Sequence, residues 1–144
     1  MNRAVAENLA KLKLTYRTSD PFRLCDFLNV DVRWVDMERH PLGKTAWVLG
    51  ESLVLLDQSI RDDSRRYFVC AHELGHLLSD KGFAGYYIAN QRAKSSSERN
   101  ADAFAASLIY SLYVEEHDGE QPDLIQELSA DYGLPIEGQD YLLS

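Results

Sequence analysis

The chain has 144 residues, 45% of them apolar and 26% charged, with a formal net charge of −8. That profile describes one soluble domain able to bury its own core, and the negative balance argues against nucleic-acid binding because phosphate repulsion goes uncompensated. No apolar run approaches a membrane span, and two cysteines, Cys25 and Cys70, make no disulfide framework.

The N-terminal MNRAVAENLAKLKL lacks the apolar core and small-residue cleavage site of a signal peptide, so a reducing cytoplasm is expected. Val5, Leu9, Leu12 and Tyr16 recur at helical spacing and predict an amphipathic helix over 3–16. In TSDPF, Asp20 is a candidate N-cap and Pro21 a first helical residue, opening a short helix to about Leu28 that carries Cys25 as a core residue. Val30, Val32 and Trp34 alternate with Asp31 and Arg33, the period of a half-buried strand. His40, beside Pro41, falls in an exposed loop. TAWVL and SLVLL, separated by Gly50 and Glu51, read as a hairpin, and Trp34 and Trp47 as core or sheet-face residues. About three antiparallel strands are expected.

The DDS at 62–64 and Gly82 bracket a helix of about five turns containing RRYFVCAHELGHLLSD. Residues 82–96 are expected to form a loop, with Ser96 or Ser97 capping a further helix, ERNADAFAASLIYSL. A last helix is predicted from Pro122 to Gly133. With no repeat, low-complexity tract or long linker, residues 1–144 read as one α+β domain: a small three-stranded antiparallel sheet with about five helices.

Positions four apart on a helix share a face, so His72 and His76 project together. Two imidazoles there can fill two corners of a zinc tetrahedron, with Glu73 placed to take a proton from the attacking water. Cys70 points to the opposite side of the helix and is expected in the core. Gly75 costs about 1 kcal/mol relative to alanine in mid-helix, which close approach of another backbone would explain. A metzincin would need a histidine six residues after His76, where this chain has Gly82. A third histidine ligand further on could only be His117, in the acidic VEEHDGE. A carboxylate is the preferred alternative: Glu98, 22 residues beyond His76, returns over the HELGH face if the two helices are antiparallel. Asp102, one turn on, is then placed to receive the second ring N–H of His72. Tyr86, Tyr87 and His117 are candidate donors to a developing oxyanion.

VCAHELGHLL followed by SERNADAFAASLI resembles the ImmA/IrrE family of zincin-like metallopeptidases, whose pattern is H-E-x-x-H and then E-x-x-A-[ND]-x-F-A. Glu98, Ala101, Asp102, Phe104 and Ala105 match the second motif position by position, and the likeness spans about residues 1–110. The resemblance implies a minimal zincin-like fold and a gluzincin-like site, with one zinc on His72, His76 and Glu98 and with Glu73 as general base. It also implies a bacterial cytoplasmic protein, often encoded by a prophage or mobile element, that cleaves or otherwise inactivates a helix-turn-helix repressor carried on a separate polypeptide. Docking without cleavage, or a place in a toxin–antitoxin-like gene pair, are the rival readings. Many members continue from the F-A segment into a leucine-rich stretch ending in Met-Pro; here it is SLIYSLY, so a different helix exit is expected. Residues 112–144 have no motif match. Residues 1–100 hold all 15 Lys and Arg against 13 acids, whereas residues 101–144 hold ten acids and no Lys or Arg, either a solvated face or a surface suited to a basic partner.

Overall fold

The computed structural model of the chain describes residues 3–80 and 91–135. Helix α1, Arg3–Tyr16, buries Leu9 and Leu12 against the rest of the domain, and Tyr16 stacks on Phe27 at 5.0 Å between ring centroids. Helix α2, Pro21–Phe27, starts as expected: the Asp20 carboxylate accepts from Phe22 N–H at 2.9 Å and proline occupies the first turn. Its inward residues Leu24 and Cys25 are fully buried.

Strands β1 (Asp31–Val35), β2 (Gly43–Val48) and β3 (Glu51–Asp57) form one sheet in the order β1-β3-β2. The sheet is mixed, which corrects the all-antiparallel expectation: β2 and β3 pair antiparallel, but β1 pairs parallel with β3. β3 has the most buried residues of the three, with Val54 and Leu56 fully enclosed, so it takes the centre and is covered along both edges. The path from β1 to β3 runs through residues 36–50 and includes β2, giving the dozen or more residues that a parallel pairing requires. The hairpin turn lies at Leu49–Gly50, one residue earlier than expected, with φ of +52° and +82°. Positive φ at both central residues is the turn whose twist matches that of the strands. Trp34 packs on the core and Phe22, His40 is exposed, and Trp47 is a sheet-face residue 42% exposed.

At the end of β3 the buried Asp57 carboxylate accepts from the backbone N–H of Met37 (2.7 Å), Arg39 (3.3 Å) and Ser59 (3.0 Å), and from the Ser59 hydroxyl. These bonds, led by the Ser59 hydroxyl, hold its carboxyl at about 2 and tie the loop after β1 to the 3-10 turn Gln58–Ile60.

Helix α3, Arg65–Asp80, begins where expected, Asp63 accepting from Arg65 N–H at 2.8 Å. It packs against β2 and β3 on one side and helix α4 on another, with α2 and α5 also in contact, so the HELGH segment occupies the middle of the domain. The expected stop at Gly82 lies outside the described residues. Helix α4, Gln91–Glu116, starts well before the expected cap at Ser96 or Ser97 and continues without a break past SLIYSLY. Gln91 to Lys94 are good helix formers, so the serines do not open the helix but lie within it. One stripe of α4, Ala101, Phe104, Ala105, Leu108, Ile109 and Leu112, is buried at helical spacing. Each of its large members contributes about 2 kcal/mol on burial.

Helix α5, Gln126–Tyr132, is shorter than expected and ends at Gly133 in the left-handed conformation, which returns N–H bonds to Leu128 and Ser129. Carboxylates of the acidic C-terminal third hold these parts together. Glu115 accepts from the Thr18 hydroxyl (3.0 Å) and Ser19 N–H (2.7 Å), Glu127 accepts from the Tyr113 hydroxyl (2.9 Å), and Glu116 from the Tyr132 hydroxyl. Glu115, Glu116 and Glu127 therefore have partners within the domain, and among the described residues Asp118, Glu120, Asp123 and Asp131 are further exposed acids.

Candidate metal centre

The seam between α3 and α4 is close because Gly75 has no side chain. A Cβ there would lie 3.3 Å from the Ala101 Cα and 3.0 Å from the Phe104 ring, so α4 supplies the approaching backbone that this mid-helix glycine called for. Gly43 does the same on the sheet side. A Cβ on it would lie 2.5 Å from Val69 and 3.1 Å from Glu73, so β2 runs directly against the helix beside that carboxylate.

Within this seam His72, His76 and Glu98 each offer one ligand atom, all within 4.8 Å of one another. The two Nε2 atoms are 3.1 Å apart. Glu98 Oε1 is 2.8 Å from His76 Nε2, and Glu98 Oε2 is 3.3 Å from His72 Nε2. The histidine side chains are 15% and 13% exposed and that of Glu98 is 51% exposed, so the cluster opens to solvent on the Glu98 side.

The outer ring nitrogens have partners too. His72 Nδ1 lies 2.6 Å from Asp102 Oδ1, and His76 Nδ1 lies 3.1 Å from Ser97 Oγ. With each Nδ1 carrying its hydrogen, both Nε2 atoms present lone pairs toward each other and toward a carboxylate. Three acceptors converging in this way repel unless a cation or proton sits among them. The spacing suits a cation: ligands about 2.0–2.1 Å from a tetrahedral zinc stand about 3.3 Å apart. These three residues could therefore hold a metal ion.

The same geometry sets the titration of the metal-free cluster. Burial pushes His72 down, but the hydrogen bonds to Asp102 and Glu98 and the charge of Glu73 outweigh it and raise its pKa to about 10. The His72 bond leads in holding the Glu98 carboxyl below its ordinary range, against partial burial and with help from His76. Glu73, 8% exposed and 3.9 Å from His72 Nε2, is pushed up by burial; the histidines oppose this shift, and Glu98 and Asp102 add to it.

The structure brings together His72, Glu73, His76, Glu98 and Asp102. It adds Ser97, which the sequence offered only as a helix cap. Its signal was its place beside Glu98, legible only once the helix is known to begin earlier. His117 is not part of the cluster, which corrects its candidacy as oxyanion donor. It lies beyond the far end of α4, nineteen positions and about 28 Å from Glu98 at 1.5 Å per residue. There its ring stacks on Tyr113 at 3.7 Å and its Nδ1–H donates to the Tyr113 carbonyl. Tyr86 and Tyr87 lie outside the described residues. Cys25 and Cys70 are free and fully buried, with sulfurs 4.0 Å apart, and burial raises the Cys70 pKa, which disfavours its reactive thiolate.

A helix bearing two histidines four apart with a glutamate between them, faced by a carboxylate from the next helix, is the residue arrangement of a gluzincin-type metallopeptidase centre. The chain belongs to the ImmA/IrrE family of peptidases: the sequence profile of peptidase family M78, the IrrE N-terminal-like domain, matches residues 25–143. The match starts within α2 and takes in most of the acidic stretch 112–144, further than the motifs alone reached, while α1 lies outside it. No curated protein and no solved structure gives a significant match.

Proposed function

We propose that this protein is a zinc-dependent endopeptidase acting in the bacterial cytoplasm, whose substrate is a helix-turn-helix repressor of a prophage or other mobile element. The observation that carries the reading is the convergence of His72, His76 and Glu98 with the buried Glu73 alongside. His72, His76 and Glu98 would hold one zinc, which when bound polarises the scissile carbonyl and makes water more acidic.

The chain's own residues do the rest. Asp102 accepts the Nδ1–H of His72 and so keeps its Nε2 directed into the site. Glu73 accepts the proton of the attacking water and delivers it to the leaving amine. A carboxyl raised by burial is better matched to that exchange near neutral pH than an exposed one. Glu98, half exposed, marks the side from which a peptide would reach the cluster.

The repressor assignment rests on the family resemblance together with the exposed acids Asp118, Glu120, Asp123 and Asp131, which suit a basic partner. Direct nucleic-acid binding is not part of this reading, given the net charge of −8. No described helix is long and apolar enough to cross a membrane.

The test pairs wild type with Glu73→Gln. The variant should bind zinc and repressor as wild type does but leave the repressor uncut. If Glu73→Gln releases the repressor from its operator as well as wild type, inactivation proceeds by docking and the peptidase reading fails.

A further inference from the structure

We infer that Ser97 is the positioning residue for His76, its hydroxyl setting the ring tautomer and orientation on which metal affinity at this centre depends. The inference rests on the metal-site reading above and extends it to a residue outside the ligand set. His76 Nε2 faces the cluster, 2.8 Å from Glu98 Oε1 and 3.1 Å from His72 Nε2, while its Nδ1 is 3.1 Å from Ser97 Oγ. For Nε2 to offer a lone pair, Nδ1 must carry the hydrogen, and Ser97 Oγ is placed to accept it. Ser97 is 9% exposed, and serine is a poorer helix former than alanine, so helix propensity does not select it at this position.

The placement gives α4 a double task. Glu98 reaches the cluster directly, Ser97 beside it backs His76, and Asp102 one turn later backs His72. The two supports differ in kind. His72 is held by a carboxylate at 2.6 Å and His76 by a neutral hydroxyl at 3.1 Å. Charge-assisted bonds are the shorter and stronger, so His72 is the more firmly fixed ring. A hydroxyl behind His76 orients it without adding a fourth carboxylate near Glu73, Glu98 and Asp102, whose mutual repulsion would raise the Glu73 pKa further.

The experiment measures zinc affinity by competition with a chromophoric chelator, and metal-free melting temperature, for wild type, Ser97→Ala and Ser97→Thr. Ser97→Ala should weaken zinc binding by about tenfold or more, Ser97→Thr should stay within about threefold of wild type, and all three should melt alike without metal. Zinc affinity of Ser97→Ala equal to wild type overturns the inference and leaves the metal site standing. A loss in Ser97→Ala that threonine does not restore, with a lower metal-free melting temperature, assigns Ser97 to packing and also overturns it. Wild type that takes up no zinc overturns the metal-site reading and this inference with it.

Discussion

Replacing Gly75 by alanine tests whether the α3–α4 seam is what selects glycine. In an exposed helix the change would stabilise by about 1 kcal/mol. Here the new Cβ would lie 3.0 Å from Phe104 Cδ1, 3.3 Å from the Ala101 Cα and 3.4 Å from Phe104 Cβ. Phe104 is 2% exposed and Ala101 1%, so the ring has little room to turn away and the backbone contact moves only if α4 moves. Overpacking of this kind costs about 1–3 kcal/mol, which offsets the propensity gain and leaves a net loss of about 1 kcal/mol. The shift of α4 would carry Ser97, Glu98 and Asp102 away from the two histidines, so zinc affinity should fall as well. Urea unfolding of the metal-free protein gives the first quantity and chelator competition the second. A variant about 1 kcal/mol more stable than wild type, with unchanged zinc affinity, would refute the reasoning.

Asp102→Asn should weaken zinc binding by about 10–100-fold, because an amide orients the His72 ring less firmly than a carboxylate; equal affinities would remove Asp102 from that role. In metal-free protein the His72 pKa is raised from 6.5 to about 10, so its contribution to stability is fully present below pH 6.5 and lost as pH rises through 10. Zinc must displace that proton, so apparent affinity should climb about tenfold per pH unit between pH 7 and 9, and a flat profile there would contradict the pairing of His72 with Asp102 and Glu98. Leu49→Asn should stabilise the fold by about 0.5–1 kcal/mol, since Leu49 is fully exposed at a φ of +52° that asparagine tolerates better. Chemical denaturation decides it: a loss of stability would mean that Leu49 is held by contacts rather than strained by its turn.

Local sequence signals fall short in three places, each for its own physical reason. Ser96 and Ser97 looked like a cap because serine usually opens helices, yet good helix formers precede them and α4 already runs from Gln91. The strands were each legible, but their order was not, because a hairpin signal constrains only the pair it joins. A count of residues leaves His117 eligible, because it does not reveal that one unbroken helix separates it from Glu98.

What the sequence by itself determined is local. Four-residue spacing on one helix put His72 and His76 on a common face, Asp20 and Pro21 opened α2, and Gly133 closed α5. Such features depend on the period of a single element and on the backbone preferences of a few neighbouring residues. The motif spelling added Glu98 and Asp102 as candidates. Only the tertiary structure decided that Glu98 comes within 2.8 Å of His76, that Ser97 lies behind that ring, and that β1 runs parallel to β3. Those depend on how closely two helices approach and which strand takes the centre of the sheet. Both are settled by packing among residues distant in the chain, which no local period records.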